Sequence, residues 1–411
     1  MTWLTGWNRR KQITVNGSTY GALSDYQMKL TVNQASGTDP GIIYCGGNIK
    51  SDFSDLRFTD SGGSTELYYW IESIAGTSPS QNVTVWVKIG SIPTIGTTIY
   101  VYYNNPSPSD SYGTNGNNTF DFFDDFSASS IDPTKWSTAS GTWTESGGTL
   151  NITVTGSSDD RFLLSTSTYK FKNCSIRTRF KASYGGIKLI SRTASINYCN
   201  SYNNPDPGYV SSASSESSDV SISRNSGCTG HTIFSATQTV SVNSWHIFET
   251  SLYENFFKAN LDDGVYVNSG TDSSPVLVTE RHGLHCRSPA GSATYNFDFY
   301  AVRKFVNPEP TFSATILGTE ELGIIAYSMS LHPSETPCRT GICTIRADIT
   351  WQNLGSSSIT FRPKILIDGI TEVQAASDTT IIGPYPATSS LIQITTPTLL
   401  AGTHSICPYP N

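Results

Sequence analysis

Charged residues are scarce in this chain of 411 residues, at 14% against roughly 25% in ordinary globular proteins. The net charge is -7 and no stretch forms a basic stripe, which argues against a nucleic-acid partner. No apolar run approaches the ~18 residues that a membrane-spanning helix needs, so membrane insertion is not expected. Serine, threonine, asparagine, glycine and tyrosine are abundant instead, and they predict a surface that is soluble through hydroxyl and amide groups.

A convincing helical pattern is also missing, whereas strand patterns recur along the whole chain. Apolar and polar residues alternate over 56–59, 66–72, 83–89 and 98–103, which predicts strands with one buried and one wet face. Residues 60–64, Asp-Ser-Gly-Gly-Ser, form a hairpin-turn signal between the first two runs. The pattern predicts an all-β protein.

Proline-rich and polar stretches divide the chain into three predicted domains. Two prolines follow residue 105, and Asn307-Pro308-Glu309-Pro310 is a second stiff spacer. The predicted segments are a β-sandwich over 1–106, a linker over 107–118, a second sandwich over 119–306, a linker and strand over 307–321, and a third sandwich over 322–411.

The cysteines predict disulfides rather than a zinc site, because none has paired ligand spacing with nearby histidines. Cys338 and Cys343 bracket a short turn, and a bridge between them is expected. Two further bridges are expected among the cysteines of 119–306, paired as Cys199–Cys228 and Cys174–Cys286. Cys45 and Cys407 then remain, either as buried thiols or as bonds to a neighbouring subunit. Bridges of this kind indicate an oxidising final environment.

The amino terminus lacks the apolar core and the small-residue cleavage site of a secretion signal. Two explanations stay open: a signal has been removed and Met1 is an added residue, or the protein is assembled inside a cell, as virion proteins are.

Six ordered motifs in the first segment resemble a β-sandwich domain of unknown function from archaeal, bacterial and viral surface proteins. They lie at 7–13, 25–30, 55–60, 69–72, 85–89 and 100–104. That family has no assigned activity, so the resemblance implies architecture and context alone.

The second and third segments resemble two other families. Motifs including Asp132-Pro133-Thr134-Lys135-Trp136 and 259–264 resemble the concanavalin/laminin-G-like lectin fold, a jelly roll of two antiparallel sheets. Residues 344–355 and 363–369 resemble immunoglobulin-like adhesion modules of prokaryotic surface proteins. The resemblances imply three tandem β-sandwiches: one jelly-roll-like, one a concanavalin-like jelly roll and one immunoglobulin-like.

An enzyme is one possibility, because the concanavalin-like fold also hosts glycoside hydrolases, which need two carboxylates across a sugar cleft. A Glu-x-Asp-x-Glu triplet on one strand face is absent, and Glu249 and Glu254 are predicted to face opposite sides. His282 and His285 are not accompanied by a Gly-x-Ser-x-Gly elbow and are predicted to be turn and strand residues. The sequence therefore favours a non-enzymatic protein.

Four aspartates are the candidate calcium ligands, since carboxylate oxygens suit that ion. Asp121, Asp124 and Asp125 cluster at the start of the second segment. The first and last strands of a jelly roll are neighbours, which brings Asp298 towards them. The alternative is that these residues bond the backbone at turns and strand ends.

A long loop carries the candidate sugar-binding residues, because sugars stack on aromatic rings and bond amide groups. The candidates are Tyr198, Asn200, Tyr202, Asn203 and Tyr209. The alternative is an ordinary surface loop.

The sequence as a whole predicts a non-enzymatic structural or adhesion protein of an extracellular, cell or virion surface, with carbohydrate as the expected partner. Two alternatives stay open. One is a self-assembling subunit of a filament, surface layer, capsid or tail, and the other is a carbohydrate-active enzyme.

Overall fold

Antiparallel strands provide almost all of the regular structure in the computed structural model, which confirms the predicted all-β class. The structure describes residues 3–39, 41–108, 115–156, 159–194, 196–199, 202–205, 207–226, 229–264, 266–287, 291–312, 320–333, 342–354, 359–368, 371–381, 387–397, 399–400 and 405–410. The helical segments in these ranges are α1 (Gly116–Thr119) and a single 3-10 turn at Asp262–Gly264. Neither is long or apolar enough to span a bilayer.

The chain forms two compact units. Unit 1 contains residues 1–115 and 310–411, and unit 2 contains residues 116–309. The predicted segments 1–106 and 322–411 thus both lie in unit 1. Their division into separate sandwiches stays a prediction.

Among the residues that the structure describes, the first part of unit 1 has seven strands: β1 (Arg9–Asn16), β2 (Leu23–Asn33), β3 (Ile42–Tyr44), β4 (Arg57–Thr59), β5 (Tyr69–Ala75), β6 (Asn82–Ile92) and β7 (Thr97–Tyr103). One sheet contains β1, β7 and β4, and a second has the order β3-β2-β6-β5. Ile13, Val85 and Val101 are buried on these strands, and the Ile13 side chain alternates with the partly exposed Gln12 and Thr14. The centre of β7 is buried on both faces.

The described residues of unit 2 form seventeen strands. They are β8 (Phe122–Asp124), β9 (Trp136–Ser140), β10 (Thr144–Ser146), β11 (Thr149–Val154), β12 (Arg161–Ser165), β13 (Cys174–Ala182), β14 (Gly186–Thr193), β15 (Ile196–Cys199), β16 (Tyr202–Pro205), β17 (Gly208–Ser214), β18 (Asp219–Ser226), β19 (Thr229–Thr237), β20 (His246–Tyr253), β21 (Phe256–Leu261), β22 (Tyr266–Thr271), β23 (Arg281–Arg287) and β24 (Ala293–Lys304).

Two sheets of unit 2 enclose one large hydrophobic core. The eight-stranded sheet has the order β10-β11-β24-β13-β20-β21-β22, with β8 also beside β24, and the seven-stranded sheet has the order β19-β18-β17-β14-β23-β12-β9. Phe248 and Phe297 enter the core from the first sheet, and Leu189 and Leu284 enter it from the second. This is a two-layer β-sandwich. The first and last strands, β8 and β24, are neighbours as predicted.

The second part of unit 1 begins by extending the sheet of β1. Its strands are β25 (Thr311–Phe312), β26 (Glu320–Leu322), β27 (Ile324–Pro333), β28 (Ile342–Cys343), β29 (Ile345–Asn353), β30 (Ile359–Phe361), β31 (Pro363–Ile367), β32 (Thr371–Gln374), β33 (Thr379–Ile381), β34 (Ile392–Thr395), β35 (Leu399–Leu400) and β36 (Ile406–Pro410). Val15 pairs with Phe312, and Arg9 pairs with Leu322. Strands from both ends of the chain therefore share one sheet.

The remaining strands form small sheets around Trp351. They include the orders β27-β29-β34 and β32-β31-β36 and the pairs β28–β35 and β30–β33. Trp351 is fully buried and packs edge-on against Phe361, with Ile349, Ile365 and Ile394 in the same cluster.

Candidate functional site

The seven-stranded sheet of unit 2 has one face in the core and one face turned away from it. Ile187 and Leu189 of β14 belong to the core, so the residues between and beside them point to the other side. The same alternation places Ser212 and Ser214 of β17, and Arg287 of β23, on that side. We call this side the outer face.

A pocket of about 250 Å³ opens on the outer face. Its walls come from β14, β17, the turn after β17, and β23: Gly186, Lys188, Ser212, Ser214, Glu216 and Arg287. Glycine is required at 186, because a Cβ there would lie 2.3 Å from the carbonyl oxygen of Ala213. The pocket thus combines two cationic groups, one carboxylate and two hydroxyls.

Lys188 is the most unusual group in the pocket. Burial lowers the pKa of its ammonium group, and the Arg287 charge lowers it further, whereas Asp160 and Glu216 act in the opposite direction. The ammonium forms no hydrogen bond or ion pair with another described side chain. A partly desolvated ammonium with three open donors is suited to bind hydroxyl or carboxylate oxygens.

A buried histidine and aspartate lie beside Lys188. His285 is opposite Lys188 in the strand register, and its Nε2 atom is 2.8 Å from Asp160 Oδ1. The imidazole also stacks on Phe162, with ring centroids 4.1 Å apart. Burial, with the Lys188 charge, lowers the pKa of His285 to about 4 although Asp160 opposes this. The neutral histidine therefore adds no positive charge beside Lys188.

The hairpin of β15 and β16 is anchored on the apolar part of the outer face. Ile196, at the start of β15, packs against a buried cluster of Phe162, Leu164 and Ile190. Ile190 lies two residues along β14 from Lys188, so the base of the hairpin and the pocket share one strand. The hairpin is a two-stranded sheet of its own.

This hairpin contains most of the predicted sugar-binding residues. Tyr198 is in β15, and Tyr202 and Asn203 are in β16, where Tyr198 pairs with Asn203. Asn200 lies outside the described residues. The structure therefore places three of the candidates on one hairpin, and their ligand role stays a prediction.

The prediction for Tyr209 is wrong. Its side chain is fully buried, its hydroxyl donates to Asp272 Oδ2 at 2.9 Å, and its ring packs on Phe257. The residue belongs to β17, where it alternates with the outward Val210 and points into the core. A ring in the core cannot stack on a sugar.

The structure does not gather the predicted calcium ligands Asp121, Asp124, Asp125 and Asp298. Asp124 is buried and accepts hydrogen bonds from Trp136 Nε1 at 2.7 Å and the Phe126 amide at 3.1 Å. Asp298 forms an ion pair with Arg179 at 2.8 Å. In the described part of the chain, no three acidic, histidine or cysteine groups are arranged to hold a metal ion. The carboxylates bond protein groups instead.

The predicted bridge Cys174–Cys286 is also wrong, because both residues are buried free thiols. Cys174 lies on β13 in one sheet and Cys286 lies on β23 in the other. Cys228 and Cys338 lie outside the described residues, so the pairings with Cys199 and Cys343 stay predictions. Cys45 is buried and Cys407 is exposed.

The carboxylates weighed as a hydrolytic pair are both engaged in ion pairs. Glu249 lies between two buried arginines, with Oε2 3.1 Å from Arg177 and Oε1 2.9 Å from Arg303. Glu254 pairs with Lys172 at 3.0 Å. No local sequence pattern predicts this network, since its members are far apart along the chain.

The pocket residues were missed for a different reason. Apolar and polar residues alternate over 186–189 as in a strand, so the sequence pattern predicts that Lys188 points away from the core. Its meeting with Arg287 depends on the pairing of β14 with β23, which local patterns do not encode.

The domain of unknown function DUF2341 matches residues 52–139. This supports the resemblance of the first segment to a domain of unknown function, over well under half of the chain. No curated protein matches the chain.

Several solved structures are similar to part of the chain. The carbohydrate-binding module CBM66 from Bacillus subtilis is 20% identical, with 42% of this chain and 96% of that chain covered and a TM-score of 0.34. The Bacillus licheniformis β-glucanase is 12% identical, and the match covers 45% of this chain and 98% of that chain with a TM-score of 0.34. The exoplasmic/lumenal domain of VIP36 is 11% identical, and the match covers 43% of this chain and 88% of that chain with a TM-score of 0.35.

Proposed function

We propose that this chain is a non-enzymatic carbohydrate-binding protein of an extracellular or virion surface, and that the outer-face pocket is its sugar site. One observation carries the proposal: strands of a rigid sheet present charged and hydroxyl groups around an open pocket on a face that the core does not use. Sugar hydroxyls both donate and accept hydrogen bonds. Lys188 and Arg287 supply donors, Glu216 supplies an acceptor, and the two serines supply both.

The hairpin of β15 and β16 supports the same proposal. It is anchored beside the pocket through Ile196. Tyr198, Tyr202 and Asn203 lie on its two strands, and tyrosine and asparagine are residue types that suit recognition of a pyranose ring. A hairpin outside the main sheets can adjust to a ligand while the strands below stay fixed.

The proposal is non-enzymatic because a glycoside hydrolase needs two carboxyl groups on either side of the scissile bond. Among the described residues that line the pocket, Glu216 is the single carboxylate. Glu249 and Glu254 are held in ion pairs. Incubation with soluble polysaccharides should release no new reducing ends, and release that is lost in E216Q would contradict this part.

The test is binding of the full chain to a glycan array, followed by calorimetric titration of the best glycan. K188M and E216Q should each weaken binding at least about tenfold, since a hydrogen bond to a charged group contributes about 1.5–3 kcal/mol. K258M is the matched control, because Lys258 is a strand lysine of the other sheet. Absence of any bound glycan, or wild-type affinity in K188M, would contradict the proposal.

A second candidate function, self-assembly, is favoured by strand β27. Tyr327, Met329 and Leu331 alternate along it and are 63%, 38% and 44% exposed. Among the described strands, β27 is an edge of its sheet, and exposed apolar edges pair readily with other chains. We propose that a second copy covers this stripe.

Sedimentation velocity over a concentration series tests self-assembly. The wild type should associate as concentration rises, and Y327S/L331S should shift the association to concentrations at least about tenfold higher. L277S removes an exposed leucine of unit 2 and serves as the control. A wild type that stays monomeric throughout would rule this candidate out.

A further inference from the structure

A second pocket, of about 320 Å³, lies in unit 1. Its lining combines aromatic rings, charged groups and hydroxyls: Trp3, Leu4, Thr5, Trp7, Arg57, Ser64 and Glu66. None of these residues belongs to the outer face of unit 2. The pocket therefore needs its own explanation.

Arg57 is the residue that points to a ligand. It is 1% exposed, and its Nη1 atom donates to the carbonyl oxygens of Leu56 at 2.7 Å and Ser54 at 3.0 Å. Its Nε atom is 3.5 Å from Glu66 Oε2. Its Nη2 atom is buried and has no hydrogen-bond partner. Buried donors of this kind are rare in folded proteins, because leaving one unsatisfied is costly. A ligand acceptor in the pocket would satisfy it.

Two tryptophans form the apolar part of the pocket, and both are held in place. Trp7 donates from Nε1 to the Asp55 carbonyl oxygen at 2.6 Å, and Trp3 donates to the Trp7 carbonyl oxygen at 2.7 Å. Fixed rings lose little conformational entropy when a ligand packs on them. The aromatic wall is therefore preorganised.

An arginine guanidinium already lies over each tryptophan ring. Arg57 lies 5.0 Å from the centre of the Trp7 ring, and Arg10 lies 4.4 Å from the centre of the Trp3 ring. A ligand ammonium would place another cation near Arg57 and Arg10. A ligand carboxylate would meet Glu66 and the negative faces of the rings. Both arguments favour an uncharged ligand.

An uncharged ligand must still accept from Arg57 and donate to Glu66, while it packs carbon atoms against tryptophan. A sugar ring meets all three requirements, because its hydroxyls donate and accept and its C–H groups form an apolar face. The size of the pocket suits one sugar residue rather than an extended chain.

We propose that the pocket of Trp3, Trp7, Arg57 and Glu66 binds a single neutral sugar residue, as a site separate from the outer face of unit 2. Arg57 Nη2 donates to a ring hydroxyl, Glu66 accepts from a neighbouring hydroxyl, and the sugar face packs against Trp3.

The experiment uses the full chain carrying K188M, so that the proposed unit 2 site is weakened. The methyl α-glycosides of glucose, galactose and mannose are titrated, with tryptophan fluorescence and saturation-transfer NMR as the readouts. At least one glycoside should give saturable binding. Glycine and acetate at the same concentrations probe the zwitterionic and anionic alternatives, and neither should bind.

A blocking variant locates the site. Ser64 is exposed and lines the pocket, so S64W should fill it without disturbing the core and should weaken binding at least about tenfold. S61W adds the same bulk on the same exposed turn, away from the lining, and should bind like the parent. E66Q should also weaken binding, with an unchanged thermal transition as the check on folding.

Three outcomes would overturn the inference: no saturable binding of any glycoside, equal binding by S64W and S61W, or tighter binding of glycine or acetate. Loss of glycan-array binding in K188M with glycoside binding intact would separate this site from that of unit 2.

Discussion

Glu145 is a carboxylic acid placed where a carboxylate is poorly tolerated. It is 6% exposed, and neither of its side-chain oxygens has a hydrogen-bond partner. Burial raises the pKa of Glu145 to about 7, and the charge of Asp124 contributes in the same direction. The ordinary value is 4.5. Between these values the folded chain binds more protons than the unfolded chain, so the contribution of Glu145 to stability falls as pH rises through this range.

Replacement by glutamine tests this residue. The free energy of unfolding of E145Q, relative to the wild type, should increase by about 1–3 kcal/mol between about pH 4 and about pH 8, because the variant has no proton to lose. Urea unfolding at several pH values measures it. E216Q removes an exposed carboxylate and reports the general effect of charge removal. A difference that does not change with pH would contradict the assignment.

Glu249 is also a buried carboxylate but, unlike Glu145, it forms ion pairs. It neutralises two buried arginines, Arg177 and Arg303, and accepts a hydrogen bond from Ser175. E249A should lower the free energy of unfolding by up to about 3–5 kcal/mol, because it removes the buried carboxylate that the two guanidinium groups share. Arg177 then keeps its ion pair with Asp263, and Arg303 keeps its ion pair with Glu309. E280A breaks a more exposed ion pair with Lys170 and should cost at most about 1 kcal/mol. Equal losses in the two variants would refute the special role of Glu249.

Residue type alone is a poor guide to which side chains bind a ligand in this chain. The carboxylates of 121–125 suit calcium by type, but Asp124 is committed to Trp136. Tyr209 resembles a surface aromatic because prolines and asparagines precede it, but it belongs to a strand and faces the core. In each case the partner, rather than the residue type, decides the role, and the partner comes from a distant strand.

At the scale of elements, the hairpin of β15 and β16 has two separable parts. Ile196 anchors it to the outer face, while the rest pairs within the hairpin. Because no main sheet depends on that pairing, the tip can be removed at little cost to the fold.

Replacing residues 197–204 by a short Gly-Ser turn, with Ile196 kept, should therefore change the thermal midpoint by no more than a few degrees. Affinity for the array-selected glycan should fall at least about tenfold, because the proposed ring and amide contacts are lost. Thermal unfolding and calorimetry on one preparation measure both. Undiminished affinity would restrict the site to the pocket in the sheet.

The strands themselves were predictable, since alternation marks elements such as β6 and β7 to within a few residues. The pairing of strands that are far apart in the sequence was not predictable. Nothing in the pattern of β1 indicates that its partners include β25 and β26, because any edge strand offers the same backbone groups.

At the scale of the whole molecule, those pairs make unit 1 depend on both ends of the chain. Truncation after residue 309 removes β25 and β26 and leaves an edge of β1 unpaired. The truncated chain should lose the thermal transition of unit 1 or aggregate, while the transition of unit 2, residues 116–309, should stay within a few degrees of its value in the full chain. Calorimetric scanning with hydrogen exchange assigns the two transitions. Unchanged protection of β1 in the truncated chain would show that the pairing contributes nothing.

The contact between Asn16 and Thr311 spans 295 positions. During synthesis at roughly 5–20 residues per second, β1 emerges from the ribosome about 15–60 s before the strands that complete its sheet. Over that interval an open β-edge is available to chaperones, and to the same edge on neighbouring nascent chains of a polysome. A slower translation rate is therefore expected to lengthen the period in which this edge is exposed.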